Sequence, residues 1–362
     1  MRSVPSSFDE HVRAGGPLTL RVSSWLDGSR LKVGALDRLP IATQSWEISA
    51  VADAKTPGEL RFEVPNQPEY WPTSATHPLA AYGQRLWAQI GYGNERVSAG
   101  WYRIVEEPED NGSTLQVTAR GLAYEIARAR FLRGYQTDGT SSRLQTLQAI
   151  MPLPVVPDVG VIDRSLQAGM SWDEDRFDAL VDITDTWPAR WYVGDDGAIH
   201  VAPVWDDQDP GEPVFALRSG PGGNLVGLQQ IRTGVADPPN GFRVANIPEG
   251  DEPEMVGVWT VPEGPMRWWG PYGQKPEYYS SPLLPASEAV LIETAKNMTM
   301  RAIRRKMTAS AQITPDLRLQ IGDVGTVASP RAGVVSLVRL TGYRLTPRSM
   351  SVDLSLLGGL PL

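Results

Sequence analysis

The sequence predicts a mainly β protein with an α+β region set between two β-rich ends. Short runs of period-2 hydrophobic alternation fill residues 17–121 and return from residue 225 to the end, while residues 122–224 mix helical and strand patterns. The 35 Gly and 31 Pro among 362 residues make turns frequent and long helices few.

Residues 1–16 read as a polar arm, with Pro5, two serines and Gly15-Gly16 offering nothing to bury. It is expected to be either a free terminus or an arm ordered against a neighbouring copy. The first β unit, residues 17–121, opens with Leu18, Leu20 and Val22 alternating with Thr19, Arg21 and Ser23. Further strands are expected at 41–51, 59–64, 86–92, 100–106 and 114–119. In the second of these Leu60, Phe62 and Val64 face one way and Glu59, Arg61 and Glu63 the other. Asp27-Gly28 and Asn111-Gly112 supply turns, and four prolines between 65 and 78 keep that segment out of regular pairing. Six short strands so closely spaced suggest a small barrel or sandwich, with Trp46 and Trp101 in its core.

The middle region begins at Gly121. Leu122, Ile126 and Ala129 fit a short helix; Leu144, Leu147 and Ile150 fit another, capped by Ser141 or Ser142. A third starts near Asp173, with Phe177, Leu180, Val181 and Thr184 on one face and three acids at its positive end. Two strands around GDDG then form a hairpin, and residues 206–224 read as a linker apart from VFAL.

From 225 to 362 strands are expected at 225–232, 241–246, 256–261, 317–327, 334–345 and 350–356. One long helix, about 287–307, interrupts them. Its apolar stripe is Leu291, Ala295, Met298 and Ala302, widened by Ile292 and Ile303, and it ends on Arg301, Arg304, Arg305 and Lys306. Those cations either complement the carbonyl end of the helix dipole or form a basic patch for an acidic partner or passing DNA.

Composition excludes several classes of function. With no Cys, thiol chemistry and disulfides are absent and zinc loses its commonest ligand. A net charge of −8 argues against general nucleic-acid binding. No run of ~20 apolar residues is present, and the first residues lack the apolar core of a secretory signal, so a soluble protein without membrane partners is expected.

Catalytic motifs are also lacking. His11, His77 and His200 have no partner pattern, and no phosphate loop or nucleophile elbow occurs. Asp173, Glu174 and Asp175 beside Trp172 resemble a glycosidase acid cluster, but helix N-terminal charge accounts for them more simply. Acidic loops at 206–212 and 249–254 lack calcium-loop spacing. No catalytic, cofactor or metal residue is assigned.

The densest aromatic stretch runs from Met266 to Leu284, MRWWGPYGQKPEYYSSPLL. Pro271, Pro276 and Pro282 stiffen it into a connector ahead of the long helix. Trp268, Trp269, Tyr272, Tyr278 and Tyr279 are the candidate anchors, into their own domain or into the next subunit; with Arg301, Arg304 and Arg305 they make up the candidate interface.

WWGPYGQKPEYYSSPLL, the helix behind it and the later LRLQIGDVGTV resemble the tail hub and minor tail proteins of phages infecting actinobacteria. WLDG, VPNQ, PLAAYGQRLWAQIGY, the strand Gly100–Ile104 and ARGLAYEIARARF are similar to the first β unit of that group, and SWDEDRFDALVDITDTWPARWYVGDDGAIHVAPV to its central piece. The resemblance covers most of residues 18–357; the acidic insert at 249–254 and the ending LLGGLPL have no match. It implies two tube-like small β-barrel domains, 17–121 and 225–362, flanking an inserted α+β domain, 122–224. It further implies a homotrimeric ring at the tail tip of the virion, in contact with tail-tube or distal tail protein, tape-measure protein, and tip or fibre proteins. DNA would pass through the ring without sequence-specific contact. The alternatives are a carbohydrate-binding or cell-wall-degrading tail module, favoured by the twelve Trp, and the hub of a gene-transfer or contractile injection particle.

Overall fold

The computed structural model describes every residue except 1, 3, 5–7, 9–15, 33–37, 42–44, 53, 188, 206–208, 233–237, 248–253, 282–283, 285–286, 305–307, 329–334 and 358–362. The first β unit contains β1 (Thr19–Leu26), β2 (Ser29–Arg30), β3 (Trp46–Val51), β4 (Gly58–Pro65), β5 (Arg85–Tyr92), β6 (Glu95–Ile104), β7 (Glu109–Asp110) and β8 (Thr114–Gly121). Alternation sets their faces as expected: Leu60, Phe62 and Val64 are buried on β4, and Leu115, Val117 and Ala119 on the neighbouring β8.

The middle region holds α1 (Ala123–Arg128), β9 (Tyr135–Gln136), α2 (Arg143–Ile150), β10 (Val155–Pro157), β11 (Ser171–Trp172), α3 (Arg176–Asp185), β12 (Ala189–Val193) and β13 (Ile199–Pro203). Ser142 caps α2 in a full capping box with Gln145. Asp175 caps α3 by accepting from the Phe177 N–H, so Asp173 and Glu174 precede the helix instead of lying in its first turn. The region has its own core around Leu147, Ile150, Phe177, Leu180, Ile183 and Ile199.

The C-terminal part contains β14 (Phe215–Leu217), β15 (Leu225–Arg232), β16 (Gly241–Asn246), β17 (Val256–Thr260), β18 (Pro276–Ser281), α4 (Glu288–Arg304), β19 (Thr308–Ile313), β20 (Val324–Ala328), β21 (Val335–Leu345) and β22 (Met350–Leu356). Residues 317–323, expected as strand, form turns ahead of β20.

The mainly β architecture around a middle α+β region is the expected one; barrel closure is where the structure differs. One 14-stranded sheet runs β15-β19-β22-β21-β3-β4-β8-β6-β5-β1-β2, and among the described residues its ladder does not close on itself. The reason lies in β21, which is long enough to serve two partners on one edge. Its first half pairs with β20, and Gly342–Leu345 pair with Ile48–Val51 of β3. A single apolar core therefore spans both ends of the chain, from Leu60 and Phe62 to Leu340, Val352 and Leu354.

Two further expectations change. Phe8 is 4% exposed, packs in this core and meets Tyr92 at 5.8 Å. The Arg2 N–H donates to the Arg318 carbonyl, so parts of the arm dock on their own chain. Trp46 is core, but Trp101 points from the other face of β6, where it packs near Trp25 and Trp87 and against the middle region's core.

Candidate assembly surface

The long helix does not lie on the large sheet. It packs on a separate three-stranded sheet ordered β17-β16-β18, with β16 antiparallel to β17 and parallel to β18. Phe242 and Val244 of β16 meet Leu291 and Ala295 of α4, and Trp259, Tyr279, Met298 and Ala302 close the edges of this small core. The apolar stripe is as expected, but Ile292 is 36% exposed and Ile303 packs against the large core instead. Helix and sheet approach closely because Gly257 has no side chain: a Cβ there would lie 2.3 Å from the Leu291 carbonyl carbon.

The aromatic stretch is only half connector. Its second half is β18, a strand that Pro276, exposed at its first position, does not disrupt. Its first half is a chain of turns held by a residue the sequence reading passed over. Asn240 is completely buried, and its Nδ2 donates to the Met266 carbonyl (3.0 Å) and the Gly273 carbonyl (2.8 Å). Its Oδ1 accepts from the Lys275 N–H at 2.9 Å. A small amide before a strand carries no pattern that would reveal this; only the loop's own geometry does.

The predicted anchors divide into two groups. Trp268 packs its ring inward over Gly241 while its backbone N–H donates to the Val261 carbonyl, and the Tyr272 hydroxyl donates to the Pro238 carbonyl at 2.8 Å while Lys275 sits over its ring. Tyr279 is half-buried at the α4 interface, where burial pushes its hydroxyl up from its ordinary value. Trp269 and Tyr278 point outward, 83% and 69% exposed. Val258, also exposed, and the Arg243–Glu254 ion pair continue that outer surface. Trp269 and Tyr278 therefore remain available for another molecule, whereas the other three hold the unit together.

Arg301 turns inward. Its Nη1 and Nη2 donate to Asp185 Oδ1 and Oδ2 at 2.8 and 3.1 Å, tying α4 to the end of α3. Arg164 and Glu293 pair more loosely across the same junction. Arg304 is the last residue of α4, and Arg305 lies outside the described residues. The expected basic patch thus yields at Arg301 an intramolecular fork. Because the pair is about one-third exposed, a double-mutant cycle on Arg301→Ala and Asp185→Ala should return only about 0.5–1 kcal/mol of coupling by urea denaturation.

The GDDG hairpin turn is a second junction. Asp195 accepts from Arg2 Nε at 2.9 Å. Burial opposes the charge of Arg2, but Tyr343 and Asp195 outweigh it and hold the guanidinium above its ordinary range. The arm, the middle region and β21 thus meet at one ion pair. Beside it, His200 Nδ1 lies 2.8 Å from Asp158, its Nε2 lies 3.1 Å from Asp196, and its ring stacks on Tyr192. Burial opposes protonation, yet the two carboxylates outweigh it and the imidazole titrates above its ordinary value. The sign follows directly. Stability from this contact is fully present below the unfolded value of about 6.5 and is lost as pH rises through the raised folded value. Melting wild type and His200→Gln between pH 6 and 9 should show the wild-type advantage shrinking as pH rises; a constant gap would contradict it.

No group of three or more His, Asp or Glu among the described residues is arranged to hold a metal ion. Trp172 is buried with its Nε1–H on Asp182, and Glu174 faces solvent against Arg130. The acids near Trp172 therefore do not line a cleft with it.

No family model matches the chain, and no curated protein matches it. Solved structures do. A tail protein from Neisseria meningitidis MC58 superposes with TM-score 0.65 at 14% identity, over 93% of this chain and 96% of that one. The 43 kDa tail protein of prophage MuSo2 from Shewanella oneidensis gives 0.58 at 11%, over 93% and 98%. Prophage tail protein gp18 from Listeria monocytogenes EGD-e gives 0.56 at 10%, over 93% and 94%. Over nearly its whole length this chain has the fold of these bacterial and prophage tail proteins.

Proposed function

We propose that the chain is a structural, non-catalytic virion protein, a hub at the tail tip that works as a homotrimer. The observation that supports this most is the near full-length likeness to three tail proteins from different bacteria. In this reading residues 17–121 and 225–362 supply the ring, with β14 added to its sheet, and the rest of 122–224 is the insert. The ring bridges tail-tube and tape-measure proteins to distal tip or fibre proteins. Trp269 and Tyr278 then serve as contacts between subunits or to a neighbour, since exposed aromatics on a stiff scaffold make efficient anchors.

The native mass of the purified protein and of the tail assembly tests the reading: three copies per ring are expected, and a monomer in the assembled tail would overturn it. Trp269→Ala should leave the melting behaviour of the isolated chain within about 0.5 kcal/mol of wild type, because the ring touches little of its own fold. It should weaken ring formation by about tenfold or more, as loss of a central aromatic anchor does. Unchanged assembly at equal concentration would remove Trp269 from the interface.

A further inference from the structure

A cavity of about 290 Å³ lies beside β1, walled by Leu39, Pro40 and Ile41 and lined by Arg21, Arg38 and Arg96. Three cations converge there, and among the described residues no anion compensates them. Arg21 on β1 and Arg96 on β6 share the face of the sheet opposite the core, in adjacent rows across β5. Arg96 donates from Nη1 to the Thr19 carbonyl and Oγ1, at 3.1 and 3.0 Å, and from Nη2 to the Gly93 carbonyl at 2.9 Å. These are neutral acceptors. The Nε–H groups of Arg21 and Arg96 are shut off from solvent and make no hydrogen bond. Burial, then the charges of Arg21 and Arg38, depress Arg96 below its ordinary value. Among the described residues no carboxylate pairs with any of the three.

Such an arrangement is costly unless something fills it. Buried donors without acceptors cost about 1–3 kcal/mol each, and like charges repel. A guanidinium fork is matched to a planar or tetrahedral oxyanion, which accepts two parallel N–H bonds and cancels charge. The apolar wall strengthens that attraction by excluding water.

We propose that Arg21, Arg38 and Arg96 form an oxyanion-binding pocket for a carboxylate or phosphate group. The pocket goes beyond the tail reading and does not depend on it. The chemistry admits two sources, a free oxyanion or the side-chain carboxylate of a second copy of this chain, whose net charge of −8 supplies acids in excess.

The test uses the full chain and inorganic phosphate. Calorimetric titration and thermal melts are compared in sodium phosphate and in sodium chloride of matched ionic strength. Wild type should bind phosphate saturably and melt higher in it. Arg21→Gln is the informative variant, because among the described residues the Arg21 guanidinium makes no hydrogen bond or ion pair. It should melt no lower than wild type in chloride, and should bind phosphate about tenfold more weakly or worse. Arg21→Lys, which keeps the charge but loses the fork, should fall between. Equal melting of wild type in phosphate and chloride, or full phosphate binding by Arg21→Gln, would overturn the pocket. Sedimentation then separates the sources. If phosphate dissociates self-associated wild type, the pocket takes a carboxylate from a second copy; if association is indifferent to phosphate, it takes a free oxyanion.

Discussion

Gly257→Ala should lift α4 from its sheet. The new methyl group would sit 2.3 Å from the Leu291 carbonyl carbon and 2.4 Å from the Ile292 nitrogen. Both are helix backbone atoms, so no side-chain rotation relieves the overlap. The helix must shift as a body, and Leu291 and Ala295, both 0% exposed, would leave the small core with it. Overpacking of this kind costs about 1–3 kcal/mol, and the upper end is expected where backbone meets backbone. Urea denaturation should show the loss, and hydrogen exchange should place it in residues 288–304. Arg301 would lose its hold on Asp185 as well, so the end of α3 should exchange faster too. A melting curve superimposable on wild type would show that the helix can ride further out without cost.

The second large effect is expected at Asn240. Replacement by Ala removes three side-chain hydrogen bonds and strands the carbonyls of Met266 and Gly273 and the N–H of Lys275. Orphaned buried groups cost about 1–3 kcal/mol each, but water can reach some of these once the loop loosens, so a total near 3 kcal/mol is reasonable. The damage should be confined to 262–275 and should appear as faster amide exchange there and altered emission from Trp268, which packs over neighbouring Gly241. Asn240→Asp keeps the acceptor and loses both donors, so it should be no milder than Ala, because it also buries a charge. Retained protection of the loop in Asn240→Ala would mean that the turns carry themselves.

The strands were legible wherever one face meets the core and the other meets solvent. Glu59–Val64 alternates without fault, and β4 follows it to within a residue at each end. The cap of α2 was legible because Ser142 acts on its own nearest neighbours, whereas Asp175, expected with Asp173 and Glu174 in the first turn of α3, turned out to be its cap. Features set by distant contacts were not. The bond between β3 and β21 depends on β21 being long enough to pass β20, and nothing in either strand's own pattern announces its partner. Phe8 was passed over in an arm read as having nothing to bury, because a single apolar residue has no period. β18 was hidden by Pro276 and by polar residues that suit an exposed edge strand. Among the candidate anchors, aromatic content singled out the segment but could not sort Trp268 from Trp269. Adjacent residues point in different directions, and only the fold decides which of them is covered. Of the arginines of the cavity beside β1 only Arg21 was present as a polar position of an expected strand; Arg96 and Arg38 lay between expected strands, and the convergence required the register of β1, β5 and β6.

The ladder between β3 and β21 also governs when the protein can finish folding. Its two strands come from opposite ends of the chain, so a ribosome making the protein exposes β3 long before β21 exists. Until then the edge of β3, with Ile48 poised to be buried, is an unsatisfied template for any other strand in reach. Completion must wait for the last synthesised hairpin, and closing so long a loop makes this a slow step. Chains that stop before residue 335 should accordingly collect in aggregates rather than as shorter, working proteins.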